Sequence, residues 1–346
     1  MKKVILTVVI VLVVVALYIA WITFGSATKF SSTQKYLYLY DNRSVKEQTL
    51  QQLKDSNYIS NVWWFATMAK QFDVWERLKA GRFEIRKGES IVDIVRTLRN
   101  NKQSPVRLVI NKLRTANDFA KLIGKYFSTD SIHALLYFTS DDSLQKLGVD
   151  TNTLMTLVIP DTYVIYWNTS LSKIMKRLED EKDRFWTENN RLQKADEEGL
   201  TPLQVITIAS IVEEETNKND EKGNVASVYI NRYRKGQPLG ADPTIKFALK
   251  DFALKRILYG NLNVVSPYNT YRNKGLPPGP ICTPSVKTID AVLTAPRTDY
   301  LFFVAKSDFS GYHHFSTNYA EHQQYAKLYQ QALDLLIKSR GMKPAL

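Results

Sequence analysis

Three consecutive glutamates, Glu213, Glu214 and Glu215, end a mostly apolar stretch at residues 201–216 and have the clearest capacity for chemistry. A carboxylic acid can donate a proton near neutral pH when burial raises its pKa. At about 100° per helical residue, Glu215 falls closest to the apolar face of a helix, Glu213 lies to its side, and Glu214 points nearly opposite. Glu215 is therefore predicted to be a general acid, although such a charge run more often forms a solvated helix end.

The helix that must position these carboxylates carries its own start signals. Thr201 can cap the first turn, Pro202 suits the first helical position, and Gln204 completes a T-x-x-Q capping box. Apolar residues then recur at the spacing of one helical face, which predicts a buried helix. The negative end of the helix dipole should raise the pKa of Glu215, and the charge of Glu213 should raise it further.

Composition indicates a globular protein with an anionic partner. The sequence has 346 residues, 44% of them hydrophobic and 12% aromatic, which excludes a disordered chain. Its formal charge of +13 fits nucleic acid, a membrane surface or an acidic polymer, and charge alone does not choose among them. The lone cysteine, Cys282, excludes an internal disulfide. The sequence has no P-loop, dinucleotide-binding or zinc-finger motif, and no cofactor is predicted.

Residues 4–24 form an uncharged apolar run that is predicted to cross a membrane. As a helix the run would be about 32 Å long, which is enough for the hydrocarbon core of a bilayer. Lys2 and Lys3 precede it, so the positive-inside rule places the N-terminus in the cytoplasm and the rest of the chain outside. Tyr18 and Trp21 lie where aromatic anchors are expected. A cleaved signal peptide is the alternative, but no good A-x-A cleavage site follows the run.

The chain as a whole is predicted to have an α+β fold. After a stub and anchor at residues 1–30, residues 31–110 would form a small α+β module, residues 111–200 a mainly helical connecting part, and residues 201–346 the catalytic core. The strand–KGES–helix order around Ser90 resembles the glycan-binding LysM fold, and a structural spacer fits equally well.

The sequence also predicts individual elements. Strands are expected at residues 35–40, 81–85, 106–110 and 300–305. Helices are expected at residues 45–53 and 62–72, after a cap formed by Ser90 and Asp93, and at the end of the chain as far as Lys338, and turns are expected at Asp161, Thr162 and Tyr163 and at residues 240–245.

Other kinds of active site fit less well. His313, His314 and His322 lie close together, but their spacing matches no tetrahedral zinc site, so no metal is predicted. A Ser-His-Asp hydrolase would need a G-x-S-x-G turn, which the sequence lacks. What remains is a carboxylic acid near polar and aromatic loops, above all residues 266–284. Such loops suit sugars, because aromatic faces stack on sugar rings while amides and hydroxyls bind the sugar hydroxyl groups.

A series of uncommon strings carries a family resemblance. ASIVEEET, VASVYINRYRKGQPLGADPTI, YNTY, GLPPGPI, TPS, YLFFVA, GYHHF and EHQQ follow in an order that resembles the YceG-like (MltG) endolytic murein transglycosylases. The match covers roughly residues 205–325, and looser similarity reaches back to the N-terminal anchor. Glu214 stands at a usually variable position, and Ser285 replaces the glycine of the family's TPG. Of the paired histidines, His313 fits the family position better.

The resemblance implies an enzyme of the bacterial inner (cytoplasmic) membrane that cuts peptidoglycan strands internally. Glu215 falls on the family's catalytic glutamate. It would protonate the bond between N-acetylmuramic acid (MurNAc) and N-acetylglucosamine (GlcNAc), then act as base while the C6 hydroxyl closes a 1,6-anhydroMurNAc end. The implied partners are peptidoglycan, the bilayer through residues 4–24, and penicillin-binding proteins that build new strands. Nucleic acid is not among them, because the topology opposes cytoplasmic exposure.

Further substrate contacts are hypotheses, and two rival functions stay open. Each of the substrate-binding residues hypothesised from the sequence could instead stabilise its own loop. A hydrolytic muramidase would use Asp242 or Glu213 to activate water. A non-catalytic anchor would bind the wall through the LysM-like module. The hypothesised substrate-binding residues are Glu213, Asp242, Thr244, Asn269, Tyr271 and His313.

Overall fold

A computed structural model describes residues 1–254 and 256–339. The helices are α1 (Lys2–Phe24), α2 (Val45–Asp55), α3 (Val62–Gln71), α4 (Val74–Arg77), α5 (Ile91–Arg99), α6 (Ala116–Tyr126), α7 (Ser131–Phe138), α8 (Asp141–Gln145), α9 (Leu171–Thr187), α10 (Arg191–Glu197), α11 (Pro202–Glu215), α12 (Lys222–Arg234), α13 (Asp242–Leu249), α14 (Val286–Leu293) and α15 (Tyr319–Ser339). The strands are β1 (Gln34–Leu39), β2 (Gly81–Arg86), β3 (Pro105–Val109), β4 (Thr162–Tyr166), β5 (Phe302–Ala305) and β6 (His313–Ser316).

The strands pair in twos, and helices make up most of the rest, so the predicted α+β class is confirmed. β1 runs antiparallel to β2, with Gln34 opposite Arg86. β3 pairs with β4, and β5 pairs antiparallel with β6, with Phe302 opposite Ser316. Since small sheets cannot bury a large core by themselves, the core of the chain is formed mainly by helix packing.

The chain divides into two compact units. The predicted domain boundaries at residues 30, 110 and 200 stay predictions. Unit one consists of Met1–Leu108, Gly124–Asp130 and Tyr163–Ser170, and unit two consists of Val109–Ile123, Ser131–Thr162 and the described residues from Leu171 onward.

Unit one contains the α+β module and the N-terminal helix. Leu37 and Phe83 face each other across β1 and β2, and both are fully buried. The predicted cap of α5 is confirmed, because Ser90 and Asp93 form both hydrogen bonds of a capping box. The side chains of α1 are exposed except near its end, and α1 is long and apolar enough to cross a membrane. Both properties fit the predicted anchor.

Unit two is built around α11. Thr201 and Gln204 form the predicted capping box, and Pro202 occupies the first turn. Every residue from Val205 to Val212 is buried, and the helix packs against α12, α13 and α14. Burying each large apolar side chain contributes about 1.5–3 kcal/mol, so these contacts fix the position of the three glutamates that follow.

Two predicted turns are wrong, and one predicted strand is only half-buried. Thr162 and Tyr163 begin β4, in which exposed and buried side chains alternate as in a half-buried strand. Asp242 begins α13, because aspartate followed by proline suits a helix start as well as a turn. The strand predicted at residues 300–305 is β5, and its side chains are only half-buried because it lies in a two-stranded sheet.

Candidate active site

Glu215 is the last residue of α11 and lines a cleft of about 510 Å³ in unit two. Its Oε1 atom accepts a hydrogen bond of 2.7 Å from the hydroxyl of Tyr229 on α12. Tyr229 is only 1% exposed, so its ring completes the apolar core while its hydroxyl finds a polar partner. The two helices thereby fix the orientation of the carboxyl group.

Burial raises the pKa of Glu215 to about 7, because the charged form loses its hydration. This pKa also includes the negative charges of Asp242 and Glu214, which raise it, and the Tyr229 hydrogen bond and the positive charge of Lys246, which lower it. A large fraction of Glu215 side chains therefore carries a proton at neutral pH. This is the protonation state that a general acid requires.

Glu214 points away from the cleft into a cluster of positive charge. Its carboxylate accepts two hydrogen bonds from Arg114, at 3.1 and 2.9 Å, and lies 3.0 Å from the Lys112 ammonium. Burial opposes ionisation of Glu214, but the Arg114 and Lys112 contacts lower its pKa below the ordinary value. Glu214 is thus an ionised partner of two cations rather than a solvated helix end.

Glu213 forms a separate buried ion pair. Its Oε2 atom lies 3.0 Å from Lys222 Nζ and accepts hydrogen bonds from the Ser285 and Thr288 hydroxyls. Burial would raise the pKa of Glu213, but these contacts lower it below the ordinary value. Lys222 compensates the charge of Glu213, and the carboxylates that raise the pKa of Glu215 are instead Asp242 and Glu214. Ser285, where the family pattern has glycine, adds one hydrogen bond to the pair.

Asp242 and Tyr271 line the same cleft as Glu215. The Tyr271 hydroxyl donates a hydrogen bond of 2.6 Å to Asp242 Oδ1. Burial and this bond raise the pKa of Tyr271, so its proton stays on the phenol at neutral pH. The structure therefore places the predicted site residues Glu215, Asp242 and Tyr271 around one cleft.

Thr244 and Asn269 lie beneath the surface, and their contacts favour the loop-stabilising role. Both are fully buried. The Thr244 hydroxyl donates to the Ala241 carbonyl at 2.7 Å, and the Asn269 amide donates to the Leu262 and Val264 carbonyls at 2.9 and 2.8 Å. Because these groups already have protein partners, they shape the walls of the cleft without facing it.

His313 also has a protein partner outside the cleft lining. Its Nδ1 atom lies 2.9 Å from Glu221 Oε1, and its backbone N–H donates to Glu221 Oε2 at 3.0 Å. Glu221 is itself buried and accepts a hydrogen bond of 2.6 Å from Thr216, the residue after Glu215. This chain of contacts ties β6 to the end of α11. The neighbouring His314 stacks on Tyr325 with ring centroids 4.2 Å apart.

Sequence reasoning missed two charged or titratable residues of the cleft, Arg232 and His322. Arg232 donates to the Leu301 and Leu239 carbonyls at 2.6 and 2.7 Å and lies over the Phe302 ring. Burial and the charge of Arg232 lower the pKa of His322, which keeps its imidazole neutral at pH 7. Both residues lie in strings of the family resemblance, Arg232 in VASVYINRYRKGQPLGADPTI and His322 in EHQQ, and these strings could have pointed to them.

The loop at residues 266–284 is fixed to the helix that carries Glu215. The Ile281 N–H donates to the Ser210 hydroxyl at 3.0 Å, and the Cys282 thiol contacts the Ser210 carbonyl at 3.4 Å. Cys282 is fully buried, as expected for a small apolar side chain. The cleft thus combines a carboxyl group of raised pKa, aromatic rings and hydrogen-bonding groups. Such a site can protonate a leaving oxygen and hold sugar rings beside it.

Comparison with protein families gives one match that covers most of the chain. A sequence model of the YceG-like family matches residues 41–328. An endolytic murein transglycosylase of Bacillus subtilis is 44% identical over 108 residues, which are 30% of this chain and 29% of that protein. One from Streptococcus pneumoniae strain D39 is 27% identical over 258 residues, which are 66% of this chain and 46% of that protein. The chain therefore spans less than half the length of these relatives.

A solved structure has a similar fold. The crystal structure of a YceG-like protein from Listeria monocytogenes superposes with a TM-score of 0.55 at 26% sequence identity. The match covers 85% of this chain and 99% of the Listeria chain. The similarity therefore extends through both units and not only the strings around Glu215.

Proposed function

The chain belongs to the YceG-like family, and we propose that it is a membrane-anchored lytic transglycosylase that cuts peptidoglycan within its glycan strands. The observation that carries the proposal is Glu215, a carboxylic acid with a pKa of about 7 in a cleft walled by aromatic and hydrogen-bonding side chains. The names of the Bacillus and Streptococcus relatives support the same substrate and reaction.

In the proposed reaction, Glu215 donates its proton to the oxygen that bridges MurNAc C1 and GlcNAc. The C1–O bond breaks, its electron pair stays with the oxygen, and C1 passes through an oxocarbenium-like state. The MurNAc C6 hydroxyl then attacks C1 and returns a proton to Glu215. The products are a 1,6-anhydroMurNAc end and a free GlcNAc hydroxyl, and no water is consumed.

One carboxyl group is sufficient for this reaction because the nucleophile belongs to the substrate. An intramolecular attack has a high effective concentration, so no second carboxylate is needed to activate water. Tyr229 supports both halves of the cycle. Its hydroxyl orients the acid and stabilises the carboxylate that remains after proton donation.

The other cleft residues would hold the sugars. Tyr271 provides an aromatic ring, and Arg232 and neutral His322, which both pack on the Phe302 ring, provide polar contacts for acetamido and hydroxyl groups. Asp242 is the specific reason to keep the hydrolytic muramidase as a second candidate. Its carboxylate lines the same cleft as Glu215, where it could activate water.

For the location of the enzyme, we propose that α1 spans the inner (cytoplasmic) membrane once. Lys2 and Lys3 would lie in the cytoplasm, and unit two would face the wall. The charge of +13 suits anionic peptidoglycan and phospholipid headgroups. We also propose that unit one contacts glycan in the manner of a LysM domain. The protein would further associate with penicillin-binding proteins.

Product analysis tests the proposed reaction directly. We expect the full-length protein in detergent to release fragments with 1,6-anhydroMurNAc ends from purified peptidoglycan, as detected by mass spectrometry. Reducing MurNAc ends would instead show hydrolysis and favour the muramidase. Binding to peptidoglycan without any cleavage would favour the non-catalytic anchor.

The pH profile should report the pKa of Glu215. Because the acid must be protonated, kcat/KM for glycan cleavage should be constant below pH 7 and fall above it. In Tyr229→Phe the carboxylate loses the hydrogen bond that lowers this pKa, so the alkaline fall should move to higher pH. Tyr233→Phe is the matched control, since Tyr233 lies one turn further along α12 and bonds Gln204 instead. An unmoved alkaline limb in Tyr229→Phe would contradict the assignment.

A further inference from the structure

A second cavity, of about 550 Å³, adjoins the cleft that contains Glu215. Asp242 and Tyr271 line both spaces, so this hydrogen-bonded pair forms the wall between them. The remaining lining comes from residues 256–260 and Leu262. We call this second space the distal cavity. Its two shared residues make it a continuation of the cleft in unit two.

The wall between the two spaces is open to solvent at its top. The Asp242 side chain is exposed, and Tyr271 is 37% exposed. An extended ligand can therefore pass over the pair and contact both spaces at once. A ligand short enough to stay within the cleft would not contact the residues that line only the distal cavity.

Tyr259 presents an aromatic face at the distal cavity. Its side chain is 92% exposed although it lines a cavity, so the ring is available to a ligand. An aromatic ring in this position can pack against the C–H face of a sugar. Leu258, which is 51% exposed, extends the apolar surface beside it.

The segment that carries Tyr259 is held in place by hydrogen bonds to two asparagine side chains. The Asn261 side chain accepts from the Leu258 N–H at 2.9 Å. Asn269 donates to the Leu262 and Val264 carbonyls from its fully buried position. Through these bonds Asn269, a predicted site residue, holds the segment that carries Tyr259 in place before a ligand binds. A segment that is already held in place loses little conformational entropy on binding.

We propose that the distal cavity is a subsite for the N-acetylated sugars beyond the bond being cut, with Tyr259 as its stacking residue. The proposal rests on the proposed function and adds a determinant of substrate length to it. A strand that occupies both spaces extends beyond the sugars at Glu215 into the distal cavity, so the subsite favours a cut away from the strand end on that side. Fragments too short to cross the Asp242–Tyr271 pair would not use Tyr259.

Cleavage of long and short glycans by the full-length protein tests the subsite. In Tyr259→Ser we expect kcat/KM on long strands to fall about tenfold, as for loss of one aromatic contact, and kcat/KM on short fragments to stay at the wild-type value. Tyr259→Phe should retain activity on long strands, because the ring remains. Val265→Ser is the matched control, since Val265 is 91% exposed in the same segment but does not line the cavity.

Equal activity of Tyr259→Ser and wild type on both substrates would overturn the proposal, and so would an equal loss on both. Binding of uncleaved long strands to Glu215→Gln, with and without Tyr259→Ser, separates the subsite from the reaction. If wild type cleaves neither substrate, the proposed function fails. The subsite still stands in that case if Tyr259→Ser weakens binding of long strands, and it fails if binding is unchanged.

Discussion

Replacing Glu215 with glutamine is expected to lower kcat for peptidoglycan cleavage by about 10²- to 10⁴-fold. Glutamine preserves the shape of the side chain and can keep the contact with Tyr229, but its amide cannot transfer a proton to the leaving oxygen. Because the substrate contacts remain, binding of glycan strands should change much less than kcat. Release of soluble fragments from purified peptidoglycan measures the first quantity, and co-sedimentation measures the second.

Glu197→Gln is the matched control for this prediction. Glu197 is exposed at the end of α10, where it accepts a hydrogen bond from Gln193, and it should be replaceable without loss of activity. Full cleavage by Glu215→Gln would remove Glu215 from the role of proton donor. A loss of strand binding as large as the loss of kcat would show that the side chain acts in binding rather than in proton transfer.

Replacing Lys222 with methionine is expected to lower the free energy of unfolding by roughly 3–5 kcal/mol, the usual cost of leaving one partner of a buried ion pair alone. Lys222 is 4% exposed, and methionine fits its volume but cannot compensate the Glu213 carboxylate. The Thr288 hydroxyl would also lose the contact with the ammonium group. Denaturant unfolding of the full-length protein in detergent measures the change.

Two further measurements make this stability prediction specific. Lys176→Met removes an exposed lysine that pairs with Glu179 and Asp180, and it should cost less than about 1 kcal/mol. The second measurement is the free energy of unfolding as a function of pH. Because the pKa of Glu213 is lower in the folded protein, the ionised side chain stabilises the fold above the ordinary carboxyl pKa of 4.5, and this stabilisation is lost as the pH falls through the lower folded value. Similar losses in the two lysine variants would contradict a buried pair.

Several features of the two units could be read from the sequence because the physics behind them is local. The capping box of Thr201 and Gln204 depends on residues three apart, and the burial of α11 follows from its apolar spacing. The choice of Glu215 used the same periodicity, and the family resemblance pointed to the same residue. The length and apolar composition of α1 required no tertiary information either.

Local signals were insufficient where one sequence suits two backbone conformations. Aspartate followed by proline starts either a turn or a helix, and contacts of the following residues with α11 select the helix α13. Asn269 belongs to a polar loop, which does not say where its side chain points. Its amide points inward because the folded chain brings the Leu262 and Val264 carbonyls within hydrogen-bonding distance. Among the three histidines near the C-terminus, the packing of α15 against β5 brings His322 to the cleft, while His313 bonds Glu221.

The sequence by itself determined the helix that carries the acid, the apolar N-terminal span and the α+β class, because capping, periodicity and composition act over a few residues. Only the tertiary structure decided the partners of the three glutamates: Tyr229 for Glu215, the Arg114 and Lys112 cations for Glu214, and Lys222 for Glu213. These partners come from segments far apart in the chain. Their approach depends on packing of whole helices, and that packing sets the desolvation and charge that give Glu215 a pKa different from its neighbours.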